Sequence, residues 1–332
     1  MTVAFHPKSA LNQPMAAPVK IPSQRPFLTA VCWQLHDIRH LSPKEMLQRY
    51  ERGWHYRSVF GKLDPQAQAF VEALARQYGS WLSHRVSFKQ HQKILEILAQ
   101  LDAEFLEGCQ AYFGGGTLLA LAYAEYRLSQ DIGFLCASSE GYRHLRRTLF
   151  DRQYRALFQT TTGIAFPREI QANQYGVRFP IIVDDLTIRL EIVLEGRIDF
   201  GPPERLHSCP VVCLHVLDRA TEKLLANNDR GADTSVMSRD LIDLAMMCLR
   251  GDLPAAAFRN AEAAYPVIAP LQRAIEQFQQ RPDYRDRCYD ALPVAQPVAQ
   301  PDWIADSLDR LAADFGLKPT ERSLRETSAR KS

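Results

Sequence analysis

Phe113-Gly114-Gly115-Gly116-Thr117 places a glycine-rich turn between a short apolar strand and a helix rich in alanine and leucine. Such a turn lets backbone N–H groups approach phosphate, aided by the positive end of the following helix. Alone that signal is weak, because glycine turns are common. Asp131 then opens a buried-strand pattern, Asp131 to Cys136 (DIGFLC), and Glu191 stands mid-strand between Leu190 and Ile192. A carboxylate in an apolar strand is costly to bury without a partner or metal. Side by side, these strands would bring Asp131 and Glu191 to one sheet end, a donor pair suited to Mg²⁺ carrying nucleotide phosphates. The plainer readings are a strand-end cap or surface acid for Asp131 and an ion pair with Arg189 or Arg178 for Glu191. Lys223 stands out for another reason. Of 40 basic residues 31 are arginine, and Lys223 is the sole lysine between Lys93 and Lys318. A compact ammonium suits a triphosphate, although a helix-surface lysine paired with Glu222 or another nearby acid would look the same.

Four motifs follow in order: Gly115-Gly116-Thr117; Arg127-Leu128-Ser129-Gln130-Asp131-Ile132; Glu222-Lys223-Leu224-Leu225-Ala226 with Arg230; and Arg239-Asp240-Leu241-Ile242-Asp243-Leu244. Together they resemble the motif set of the AbiEii/AbiGii-type nucleotidyltransferase toxins, members of the polymerase-β-like superfamily. The resemblance spans about residues 113–244. It implies an α+β fold: a polymerase-β-like core of mixed sheet and helices, an N-terminal helical extension and a C-terminal helical domain. It also implies Mg²⁺-dependent transfer of a nucleoside monophosphate from an NTP to an RNA acceptor, the 3′ end of a tRNA in related toxins. A cognate antitoxin, in a toxin–antitoxin or abortive-infection phage-defence setting, would be the natural partner.

The resemblance assigns roles as well. Asp131 and Glu191 would hold metal, and with Lys223 and Asp240 they form the expected catalytic set. Gly115, Gly116, Thr117, Arg127, Ser129, Arg230 and Lys223 would bind substrate, Lys223 as a triphosphate clamp in an open cleft. Ser129 and Arg127 would touch phosphate or simply secure the end of the preceding helix. Asp240 and Asp243, one turn apart on a helix face, would serve the site or anchor a salt bridge to Arg239 or Arg230.

One position departs from the family pattern. Where a second metal-binding Asp is expected, this chain has Gly133. Residues 131 and 133 share a strand face, so the missing carboxylate should weaken Mg²⁺ binding and transition-state stabilisation. Glycine also weakens the strand. Three readings follow: an enzyme impaired by Gly133, a non-catalytic relative that binds nucleotide or RNA, or an active toxin into which the glycine was introduced.

The elements that must position these residues read as follows. Helices are expected over residues 64–82, 88–110, 117–127 and 140–154, strands over 111–113, 131–136, 175–182 and 186–194, and a further strand or edge over 210–217. Helices again fill 219–227, 238–249, 255–265, 270–280 and 302–315. The division expected is a flexible arm (1–26), a helical region (27–110), the nucleotidyltransferase core (111–217), a helical domain (218–318) and a frayed tail (319–332). The repeated PVAQ unit within residues 292–301 reads as a linker or wrapping loop.

Composition sets the outer limits. A length of 332 residues with 46% hydrophobic and 23% charged residues supports a sizeable core and excludes global disorder. No run of about 18 apolar residues occurs, and the N-terminus lacks a signal-peptide core, so a cytoplasmic protein without a membrane partner is expected. Seven cysteines, an odd number, fit a reducing compartment. With a net charge of only +2, any nucleic acid must be held by a local basic surface. The run Arg143, Arg146, Arg147, Arg152, Arg155 supplies one. His207, Cys209, Cys213 and His215 have zinc-ligand types at an unusual spacing, and packing is the better reading. His36 and His40 lack the glutamate of a zinc-protease helix, and Gly61-Lys62 lacks the rest of a phosphate-binding loop.

Overall fold

The computed structural model describes residues 21–35, 37–53, 63–78, 88–206, 209–295 and 302–323. Most of the arm, His36, Gly61-Lys62, His207, the PVAQ repeat beyond residue 295 and the tail beyond residue 323 lie outside them.

The N-terminal part contains α1 (Pro26–Val31), α2 (Pro43–Gly53) and α3 (Pro65–Tyr78), packed around Leu28, Met46, Tyr50, Phe70 and Leu74. The start of α2 is a capping box: Glu45 accepts from the Ser42 N–H at 2.8 Å, and its own N–H donates back to Ser42 Oγ. Next come α4 (Lys89–Leu98) and α5 (Ala103–Gly108), then β1 (Ala111–Gly114), α6 (Gly115–Ala122), β2 (Asp131–Cys136) and α7 (Ser139–Arg152). Two short strands, β3 (Ile164–Ala165) and β4 (Gln171–Ala172), precede the hairpin of β5 (Gly176–Val183) and β6 (Leu186–Leu194). The remainder is helical: α8 (Val216–Arg230), α9 (Arg239–Arg250), α10 (Ala255–Ala264), α11 (Ile268–Gln280), α12 (Pro282–Ala291) and α13 (Trp303–Asp314).

The six strands form one mixed sheet in the order β1-β2-β6-β5-β3, with β4 also on β5. Only β2 and β6 pair in parallel; the other neighbours are antiparallel. The period-two alternation of β2 decides its faces. Ile132, Phe134 and Cys136 join Leu190 and Ile192 of β6 in a core that also holds Tyr142, Leu145 and Leu149 of α7. Asp131, Gly133, Arg189 and Glu191 therefore share the opposite face, with Asp131 beside Arg189 and Gly133 beside Glu191. Helix α6 bridges two cores, placing Leu118 and Leu121 against the sheet and Leu119 and Ala120 against α8 and α9.

Several elements differ from the sequence expectation. The helix expected over 88–110 is two helices, because the Asp102 side chain accepts from the Phe105 N–H and starts α5 afresh. The helix expected to reach Arg127 stops at Ala122, where Ala124 and Glu125 adopt positive φ. Residues 210–217 follow the edge alternative and not the full strand. The backbone of Cys213 makes single bridges to Phe113 and Glu204, so the segment edges β1 without extending the sheet. Helices α1, α2 and α12 fall in the regions expected to be helical, where the sequence reading gives them no bounds of their own.

Candidate active site

The glycine turn and the acidic strand meet as their sequence order suggests. Gly115 takes φ +74°, a left-handed conformation natural to glycine, and turns the chain from β1 into α6. No side chain caps the start of α6. Thr117, on the first turn, donates its hydroxyl to the Asp131 carbonyl at 2.5 Å and is hydrogen-bonded to Ser129 Oγ at 2.8 Å. Thr117 is thus a buried brace between helix and strand, and Ser129 is joined to it.

The carboxylates reach the open face of the sheet. Asp131 pairs with Arg189 at 2.8 Å and is 44% exposed. Glu191 lies opposite Arg178 in register and pairs with its Nε at 2.5 Å. Arginine therefore balances both acids, and the plainer reading of Glu191 as an ion-pair partner holds for this arrangement. Their oxygens are the hard donors that Mg²⁺ prefers. Between them, a Cβ added at Gly133 would meet, among the described residues, only the Gly114 carbonyl oxygen, at 3.7 Å, an ordinary contact. No three His, Cys, Asp or Glu side chains among the described residues are arranged to hold a metal ion, the His215 region included.

Lys223 sits elsewhere than expected. It is 5% exposed, not in an open cleft, and its Nζ lies 2.8 Å from Asp240 and 2.6 Å from Asp243. Glu222, one residue away, turns instead toward Glu195 and Arg197. Arg127 grips Asp243 with two parallel bonds of 2.7 and 2.9 Å, and the Tyr126 hydroxyl donates to the same carboxylate. Arg230 grips Asp240 in the same forked way, at 2.6 and 2.9 Å. Three cations thus face two carboxylates, and of the five only Arg230 reaches solvent appreciably. Burial alone would raise the Asp240 carboxyl, but Lys223 and Arg230 hold it well below the usual carboxylate range. Asp243 is likewise held down by Arg127 and Lys223 against the effect of burial.

Gly116 joins this network to the turn. A Cβ there would fall 2.3 Å from Arg127 Nη2, so only glycine lets the guanidinium lie against α6. Gly116→Ala should displace Arg127 from its forked grip on Asp243. The expected loss is about 1–3 kcal/mol of stability, read from urea unfolding. A variant as stable as the parent would show that Arg127 has room to move.

Sequence reasoning missed His91. Its Nε2 accepts from the Ser129 N–H at 3.0 Å, which assigns the ring proton to Nδ1, 2.6 Å from Glu125 Oε1. This buried pair fixes the bend between α6 and β2, where Arg127 and Ser129 reside. A lone histidine on the apolar face of α4 carries no signal that it reaches a motif 38 residues onward.

The family profile described as "Nucleotidyl transferase AbiEii toxin, Type IV TA system" matches residues 96–313, which include every site residue above except His91. Two solved Helicobacter pylori structures are similar at 18% identity: one titled as a nucleotidyltransferase and the other as JHP933. The first covers 68% of this chain and 92% of its own, with a TM-score of 0.42. The second covers 68% and 90%, with a TM-score of 0.40. No curated protein matches. Among the described residues no helix is long and apolar enough to cross a membrane.

Proposed function

The chain belongs to the AbiEii nucleotidyl transferase toxin family of type IV toxin–antitoxin systems, and from that premise we propose that it transfers a nucleoside monophosphate from an NTP to an RNA acceptor, the 3′ end of a tRNA. The family implies an antitoxin partner and a nucleotide substrate. The observation that carries the proposal is the open sheet face where Asp131 and Glu191 flank an unobstructed position 133, next to the uncapped start of α6.

On this reading the N–H groups at Gly115 and Gly116 receive phosphate oxygens, with the helix dipole in support. Asp131 and Glu191 would hold Mg²⁺, which when bound offsets charge on the transferring phosphoryl group. Arg178 and Arg189, now paired with these acids, are free to turn toward phosphate once a cation takes their place. Arg230 contributes the solvent-reaching end of a network with one positive charge in excess. Lys223 and Asp240 act through that network, orienting Arg230 and, through Asp243, Arg127. Thr117, Ser129 and His91 hold the turn against β2.

Gly133 favours a second reading, a relative that binds nucleotide or RNA without turnover. Incubation with each labelled NTP, Mg²⁺ and total tRNA separates the two. Label in tRNA supports transfer. Saturable NTP binding without label, in the chain as it stands and in a variant with the missing carboxylate restored, supports the binder.

A further inference from the structure

Helix α7 carries a surface that the nucleotide site does not use. Arg143, Arg146, Arg147 and Phe150 fall at i, i+3, i+4 and i+7, one face of a helix, and all four are exposed. Tyr142, Leu145 and Leu149 take the opposite face into the core. None of the three arginines, nor Arg152 or Arg155 beyond them, joins an ion pair among the described residues. The acids of α7 are Glu140, in its first turn, and Asp151. With Gln153 and Ala172 of β4, the stripe lines a groove of about 480 Å³.

Phe150 is 83% exposed, so its ring is presented to solvent. An aromatic ring held one turn from two unpaired guanidinium groups is what an unpaired nucleotide needs: a face for the base and cations for the flanking phosphates. We propose that this groove binds a single-stranded segment of the RNA acceptor, away from the point of transfer. The proposal rests on the RNA-acceptor reading above. Because α7 covers the core face of the sheet, whereas Asp131 and Glu191 lie on the other, the groove anchors RNA and takes no part in chemistry.

The test measures binding of a fluorescein-labelled mixed-sequence 20-nucleotide RNA by anisotropy at several salt concentrations, without Mg²⁺ or NTP. Phe150→Ala should weaken binding about 5- to 150-fold, the range for one lost base stack. Arg146→Gln with Arg147→Gln should flatten the log–log salt slope by about 1.4, two phosphate contacts on a single strand. Both variants change exposed side chains, and an unchanged melting temperature verifies the fold. RNA bound with parental affinity and slope by both variants would overturn the proposal. So would preference for duplex over single-stranded RNA, or poly-glutamate binding in the groove where RNA does not, which would mark an acidic protein as its client. Transfer is scored separately with Gly133→Asp. If that variant labels tRNA while RNA binding ignores the groove, the anchor fails and the transfer reading stands. Loss of RNA binding in the α7 variants beside an inert Gly133→Asp protein gives the reverse.

Discussion

Gly133→Asp is expected to raise NTP-dependent labelling of tRNA by about 10²–10³-fold, the usual worth of one preorganised charge-stabilising group. The geometry makes this a restoration with little rearrangement. Position 133 faces the same side as Asp131 and sits directly across from Glu191 in the β2–β6 register. A Cβ there lies 3.7 Å from the Gly114 carbonyl oxygen, an ordinary contact. Three carboxylates would then converge where two arginines now neutralise two. Without metal, the added like charge should lower the melting temperature slightly, and Mg²⁺ should reverse that loss by binding the folded state alone. The parent, with one carboxylate fewer, should show a weaker stabilisation by Mg²⁺. A Mg²⁺-dependent stabilisation without label in any RNA would leave the metal site standing and count against transfer. Equal labelling by the two forms would show that the metal site is drawn wrongly.

What the sequence revealed, and what it hid, follows from the range of the interactions. The faces of β2 and β6 were legible because alternation is local: Ile132 and Phe134 inward dictate Asp131 and Gly133 outward. The isolation of Lys223 among arginines singles that position out. It cannot say that Asp240 and Asp243, inside the protein, are the partners of its ammonium, because motif spacing names residues without pairing them. Helix α2 has a readable signature, since Ser42-Pro43-Lys44-Glu45 is a capping box. The end of α6 had none. Ala124 and Glu125 adopt positive φ without glycine, held there by long-range contacts that include the buried His91–Glu125 bond. Around residue 102 two local signals competed: a continuous apolar stripe argued for one helix, and an Asp cap divided it.

The buried network supports the last prediction. Asp240→Asn keeps the shape of the side chain but removes its charge, leaving Lys223 and Arg230 to share an amide oxygen. The Asp240 side chain is 3% exposed and Lys223 only 7%, so water cannot replace what is lost. Breaking one partner of a buried pair costs about 3–5 kcal/mol, and the melting temperature should fall by roughly 5–15 °C. The sequence alone allowed a purely catalytic Asp240, for which stability would barely change. With both oxygens engaged by cations, the expected outcome is that of an anchoring role. Combining Asp240→Asn with Arg230→Gln should cost less than the sum of the two, because the second change relieves a cation already deprived of its partner. The pH dependence has a definite sign. Both Asp240 and Asp243 are held below the usual carboxylate range. Their stabilisation is therefore fully present above the unfolded value of about 4 and fades as pH falls toward the folded values. The Asp240→Asn protein should lose less stability on acidification than the parent. Equal acid sensitivity, or an unchanged melting temperature accompanied by lost NTP binding, would return Asp240 to a direct role at the substrate.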